Sequence, residues 1–133
     1  MLVDSPNLEL VRSIVAAWER GDFSSADWAD PEIDFVVADG VEPDNYRGLT
    51  GMANAWRSRM SAYEAARLQP DEYRELDDGR VLVFYRAKGR GKTSGLDLEK
   101  VWTKGAMVFQ IRSDKVTRLV VYNDAARAVR DLA

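Results

Sequence analysis

Residues 96–122 read LDLEKVWTKGAMVFQIRSDKVTRLVVY. Two β-branched and aromatic runs, Leu96–Ile111 and Lys115–Tyr122, flank the polar pair Ser113-Asp114, which is the pattern of a β-hairpin. The first run is about twice the usual strand length, and Lys104-Gly105 interrupts it, so a bulge that bends the strand is expected there. Working backward, Arg80–Lys88 and Ala66–Leu76 read as two further strands, separated by Asp78-Gly79 and followed by the tip Gly89-Arg90-Gly91-Lys92. Pro70 has no N–H to give a ladder, so its strand belongs at an edge or a bulge. Working forward, Asp124 is the N-cap of a short final helix, Ala125 to Asp131.

The first half has a different period. Ser5-Pro6 is an N-cap with proline at the first helical position. Leu8, Val11, Ile14, Val15 and Trp18 then recur at helical spacing until Gly21 stops the helix. A short helix is expected over Ser25 to Ala29, ended by Asp30-Pro31. Ile33–Ala38 (IDFVVA) reads as a strand with a turn at Asp39-Gly40. After a loop through Glu42-Pro43-Asp44-Asn45, the residues Leu49, Met52, Ala53, Trp56, Met60 and Tyr63 form one apolar stripe over about residues 49–64. Helices followed by hairpins predict an α+β fold, with helices packed on one face of an antiparallel sheet. No repeat or linker divides the chain, so residues 1–133 are read as one domain.

Composition narrows the chemistry. The 133 residues hold 19 Lys+Arg against 22 Asp+Glu, a net charge of −3, with 46% hydrophobic and 31% charged residues. That balance argues against a disordered chain and against a general binder of polyanions. No apolar run approaches a membrane span, and Met1-Leu2-Val3-Asp4-Ser5-Pro6 lacks a basic and then apolar leader, so a cytoplasmic protein without membrane partners is expected. The sequence contains no cysteine and no histidine. Disulfides, thiolate zinc sites, histidine metal centres and Ser-His-Asp or Cys-His catalysis are thereby excluded. Metal and cofactor are both expected to be absent, which leaves carboxylates, Tyr, Arg, Lys, Ser, Thr and backbone for any chemistry.

The ordered set of segments carries a resemblance. Tyr46-Arg47-Gly48-Leu49-Thr50-Gly51 opens a helix and Asp78-Gly79-Arg80-Val81 opens a strand. Then come a glycine-rich tip before Ser94-Gly95, Met107-Val108-Phe109-Gln110-Ile111, and Val116-Thr117-Arg118-Leu119 leading to Tyr122-Asn123-Asp124. Over about residues 8–132 this order resembles the SnoaL-like proteins of the nuclear transport factor 2-like superfamily. The resemblance implies a cone: a strongly curved sheet closing around an apolar pocket, helices over its open side, and dimerisation through the outer sheet face. It also implies a choice among cyclases, isomerases, epoxide hydrolases and non-catalytic members, which fold alone does not make.

The catalytic patterns of that superfamily fit this sequence poorly. Where an epoxide hydrolase would carry Arg and two Asp, the matching positions hold Tyr85, Ala87 and Val121. Val121 also occupies the place of a cyclase's acid. Where a ketosteroid isomerase would carry its Tyr, base and acid, the positions hold Ile14, Val37 (Asp39 on a shift of two) and Lys104 or Gly105. The first expectation is therefore a protein that binds a small apolar molecule. Trp18, Trp56 and Met60 would be pocket walls; if Val121 faces the pocket, as the resemblance implies, strand alternation turns Leu119 and Asn123 inward with it, and the same logic places Val83, Tyr85 and Ala87 inside. The second is a cofactor-free isomerase, cyclase or hydrolase with Asp39 or Glu99 as base and Tyr85 as oxyanion donor; Asp97 shares a face with Glu99. The third is a homodimerisation module whose outer apolar face is Leu82, Phe84, Val120 and Tyr122. The plain alternatives stand beside them: a core tyrosine at 85, core tryptophans at 18 and 56, a turn at Asp39, and a sheet-end asparagine at 123.

Arg86 to Thr93 nearly spells a phosphate loop, but Arg86 stands in place of the first glycine and the run joins two strands. Such a loop needs a following helix N-terminus, so Arg86, Lys88, Arg90 and Lys92 are read as a solvated hairpin tip and nucleic acid is not an expected partner.

Overall fold

The computed structural model describes residues 5–20, 22, 26–39, 43–61, 63–76, 79–91 and 103–132, with side chains for all of these except 58–67, 88–91 and 103. Helix α1 (Pro6–Glu19) starts as its sequence predicts. Ser5 Oγ accepts the Leu8 N–H at 3.1 Å, and Pro6 stands where no N–H is needed. Its buried stripe is Val11, Ile14, Val15 and Trp18. The described part of the expected second helix is instead a turn at Asp27 and Trp28 that feeds directly into a strand, β1 (Ala29–Val37). Pro31 is accommodated there because the pairing of β1 slips between Ala29 and Asp34, while Asp30 Oδ1 accepts the Glu32 N–H at 2.8 Å.

Asp44 and Asn45, expected in a loop, begin a short strand, β2 (Asp44–Arg47), and Gly48 then turns the chain into helix α2 (Gly48–Ser61). Gly48 has φ +81°, a conformation that a side chain would strain, which accounts for the glycine two residues after Tyr46. Helix α2 buries Met52 and Ala55 and half-buries Trp56, whereas Leu49 and Ala53 of the expected stripe are exposed. Strands β3 (Tyr63–Glu75), β4 (Arg80–Gly91), β5 (Thr103–Arg112) and β6 (Lys115–Tyr122) follow, then helix α3 (Ala125–Leu132). The β5–β6 turn has φ of 53° at Ser113 and 64° at Asp114, the positive pair that a two-residue hairpin needs to match strand twist. Asp124 Oδ1 accepts the Ala126 N–H at 3.0 Å, capping α3.

The strands form one six-stranded sheet in the order β2-β1-β6-β5-β4-β3. This order corrects the cone. The sheet is mixed, because β1 lies parallel to β6 with Phe35 opposite Leu119 and Val37 opposite Val121. It is also open, neither strongly curled nor closed: β2 pairs with β1 and β3 pairs with β4, and among the described residues no strand pairing joins these two edges. The expected bulge at Lys104-Gly105 is absent. β4 and β5 pair without a break from Thr103 to Gln110, and the slip in β5 lies between Gln110 and Ile111 on the β6 side. Pro70 is on an edge strand next to a register shift, as expected.

The sheet buries both faces. Helices α1 and α2 cover one, over Val81, Val83, Tyr85, Met107, Phe109, Leu119 and Val121. Helix α3 packs on the other with Ala128 against Leu82, Ala106, Val108 and Tyr122. Helices on both faces correct the one-sided packing expected above. They also change the outer surface: of the four residues expected to form its apolar face, Leu82 and Tyr122 are buried and Phe84 and Val120 are partly exposed.

Candidate functional site

The inner face carries the aromatic residues. Trp18 on α1 lies 5.0 Å from Trp56 on α2 and 6.0 Å from Phe109 on β5, centroid to centroid. Trp56 meets Phe35 of β1 edge to face at 5.8 Å. On the other side of Trp18 is Trp28, at 5.9 Å with the ring planes 77° apart. Trp28 is placed by the turn before β1, whose backbone is pinned at both ends. The Ala29 N–H donates to the Ala26 carbonyl at 3.0 Å, and the Val116 N–H donates to the Trp28 carbonyl at 2.9 Å.

Beside these two indoles opens a pocket of about 360 Å³, between the second half of α1, the Asp27-Trp28 turn and the β5–β6 turn. Leu10, Ile14, Trp18 and Trp28 supply its apolar wall. Asp22, Asp27, Asp114 and Lys115 supply its charges, and the Lys115 ammonium donates to the Asp27 main-chain carbonyl, tying the hairpin to the turn. Among the described residues no group of three or more acidic side chains is arranged to hold a metal ion.

Of the described residues expected from the sequence as site residues, Trp18 alone lines this pocket. Trp56, Tyr85 and Val121 share its hydrophobic cluster from behind, with Tyr85 and Val121 on the helix-covered face as alternation predicts. The Tyr85 hydroxyl donates to the Tyr122 carbonyl at 3.1 Å. Asp39 and Asn123 meet each other at the far end of β1 and β6. The Asp39 Oδ1 accepts the Asn123 N–H at 2.5 Å, its Oδ2 accepts the Asp124 N–H at 3.1 Å, and the Asn123 Nδ2 donates to the Asp39 carbonyl at 3.1 Å. Both carboxylate oxygens of Asp39 thus bind main-chain amides. The Met60 side chain, Asp97 and Glu99 lie outside the described residues.

Trp28, Asp27, Asp114 and Lys115 were not legible as a site. Trp28 lies in a segment that reads as helix, and Asp27 stands 87 residues before Asp114, brought to it by the parallel pairing of Ala29 with Val116 and by the contact of Lys115 with the Asp27 carbonyl. The one signal available was a tryptophan directly before Ala29-Asp30-Pro31, where a helix could not continue.

No protein-family model matches this sequence, and no curated protein matches it. Solved structures do. TerC, co-crystallised with polyporic acid, is similar at 22% identity and a TM-score of 0.72, over 96% of this chain and 98% of TerC. An NTF2-like protein of unknown function from Burkholderia pseudomallei K96243 is similar at 20% identity and a TM-score of 0.78, over 96% and 97%. Bal32a, from a soil-derived mobile gene cassette, is similar at 18% identity and a TM-score of 0.71, over 88% of each chain. No helix among the described residues is long and apolar enough to cross a membrane. With its helices, mixed sheet and near-complete overlap with these structures, the chain has the nuclear transport factor 2-like fold.

Proposed function

We propose that this chain is a SnoaL-like ligand-binding domain that holds a small apolar molecule against Trp18 and Trp28, without the carboxylate chemistry of the superfamily's enzymes. The observation that carries this reading is the pocket of about 360 Å³ over two indoles, a volume suited to a small organic ligand. Rigid aromatic walls give large contact area at little entropic cost. The co-crystallisation of TerC with polyporic acid supports the same use of the fold. In this reading Trp56, Tyr85 and Val121 hold Trp18 from the core, Met60 belongs to the same helix as Trp56, and Asn123 with Asp39 fastens the sheet end. A homodimer would use the strip at Phe84 and Val120 beside α3.

The test is native mass spectrometry of the purified protein, which reads both oligomeric mass and any retained small molecule, followed by tryptophan fluorescence titration with 2-naphthylmethanol. Saturable quenching is expected, weakened about tenfold in Trp28→Ala, whose half-buried ring tolerates removal better than that of Trp18. A saturating ligand at a hundredfold excess over Kd adds about 2.7 kcal/mol to stability and raises the melting temperature accordingly. No retained molecule, no quenching and no thermal shift would remove the reading.

A further inference from the structure

We propose that this pocket selects an organic cation, a ligand with a flat apolar body and a protonated amine. The inference rests on the ligand-binding reading above and adds the charge of the ligand. Three carboxylates, Asp22, Asp27 and Asp114, stand around the pocket against one ammonium, that of Lys115. The Lys115 ammonium is engaged by the Asp27 carbonyl oxygen, so it is fastened to the wall. Asp114 is fixed in the two-residue turn at φ 64° and Asp27 lies in the turn that carries Trp28. Their positions are therefore set by backbone that is hydrogen-bonded in place rather than by a freely moving loop.

The kind of cation follows from the rest of the lining. The acidic groups of the described residues do not converge as a metal cluster, which disfavours a bare metal ion. An amine on an apolar body meets a different environment. Its body covers Leu10, Ile14 and the buried Trp18, and its charge lies near the half-buried indole of Trp28. The face of an indole attracts a cation, and the surrounding carboxylates add to that attraction. Because the acidic side chains are exposed, their effect is a preference between ligands more than a large gain in affinity. An anionic ligand would meet the reverse field, with Lys115 the one cation in its favour among the described lining residues.

Three probes of nearly one shape separate charge from shape: 2-naphthylmethylamine, 2-naphthylmethanol and 2-naphthoate, titrated at pH 7 and low salt against tryptophan fluorescence. The amine is expected to bind about five- to twentyfold tighter than the alcohol, and the naphthoate weakest. In the Asp27→Asn/Asp114→Asn double variant the amine-to-alcohol ratio falls severalfold, to what Asp22 and the indole alone supply. Asparagine suits the positive φ at 114, so the turn is retained. Lys115→Gln gives a second reading that does not depend on that variant, since removing the one cation raises the ratio. An amine that binds no better than the alcohol, or a naphthoate that binds tightest, overturns the charge selection and leaves the pocket reading standing. Failure of all three probes to bind overturns both.

Discussion

A Cβ added to Gly105 would stand 2.5 Å from the Cζ and Oη of Tyr85 and 2.5 Å from the Tyr122 carbonyl oxygen. Tyr85 and Gly105 are paired across β4 and β5, so the phenol lies over the bare glycine and donates to the next strand at Tyr122. Glycine in a strand marks either a bulge or a close approach, and the sequence by itself does not choose. The pairing chooses, because it decides which residue faces the glycine. Gly105→Ala is expected to cost roughly 3 kcal/mol, the upper end for overpacking, since one of its two obstacles is backbone. Tyr85→Phe, which removes only the hydroxyl, should cost about 1 kcal/mol. Urea denaturation of both variants checks the order; Gly105→Ala as stable as the parent would refute the close approach.

Helix α3 is held on its face of the sheet by contacts at both ends. At its start, the Asp39 carboxylate takes two main-chain amides of the β6–α3 junction, and Asp124 caps the first turn. Farther on, Ala128 is fully buried against the sheet, and the Tyr122 hydroxyl donates to Asp131 at 3.1 Å. Asp39, which the sequence reads as opening a turn, therefore supplies a clasp, formed where β1 and β6 run side by side. An asparagine at 39 would offer one acceptor oxygen where two are used, leaving one amide facing an NH2 group. Asp39→Asn should lower stability by about 1–3 kcal/mol and fray α3 first. Hydrogen exchange reports this directly: faster exchange confined to residues 125–132 fits the clasp, and equal acceleration in α1 counts against it.

Across the whole molecule, both faces of the sheet carry a tyrosine whose ionisation opposes folding. Tyr73 packs against the inner cluster beneath the Arg12 guanidinium, 4.5 Å from its ring centroid; burial pushes its pKa up, Glu19 adds to the rise, and Arg12 pulls it down. Tyr122 on the outer face is raised by burial first and then by its hydrogen bond to Asp131. A phenol is neutral when protonated, so a folded pKa above the unfolded value of 10.0 means the folded state keeps its proton longer. The contribution is complete below pH 10.0 and is lost as pH rises through the folded values. Melting temperature should therefore fall more steeply above that pH in the parent than in a Tyr73→Phe/Tyr122→Phe double variant. Parallel alkaline limbs for the two proteins would contradict it.

What the sequence determined by itself is local. The Ser5-Pro6 start of α1, the Ser113-Asp114 hairpin, the Asp124 cap and the edge position of Pro70 all follow from residue types within a few positions of one another. The absence of histidine and cysteine narrowed the chemistry in the same direct way. Tertiary structure decided the rest, because each remaining feature joins segments far apart in the chain. The parallel pairing of β1 with β6 made the sheet mixed, brought the turn carrying Trp28 to the β5–β6 hairpin, and set Asp39 beside Asn123 and Asp124. The open order left β2 and β3 as edges and put α3 on the face opposite α1 and α2. Periodicity records which side of a strand is apolar, and only pairing and packing decide what that side meets.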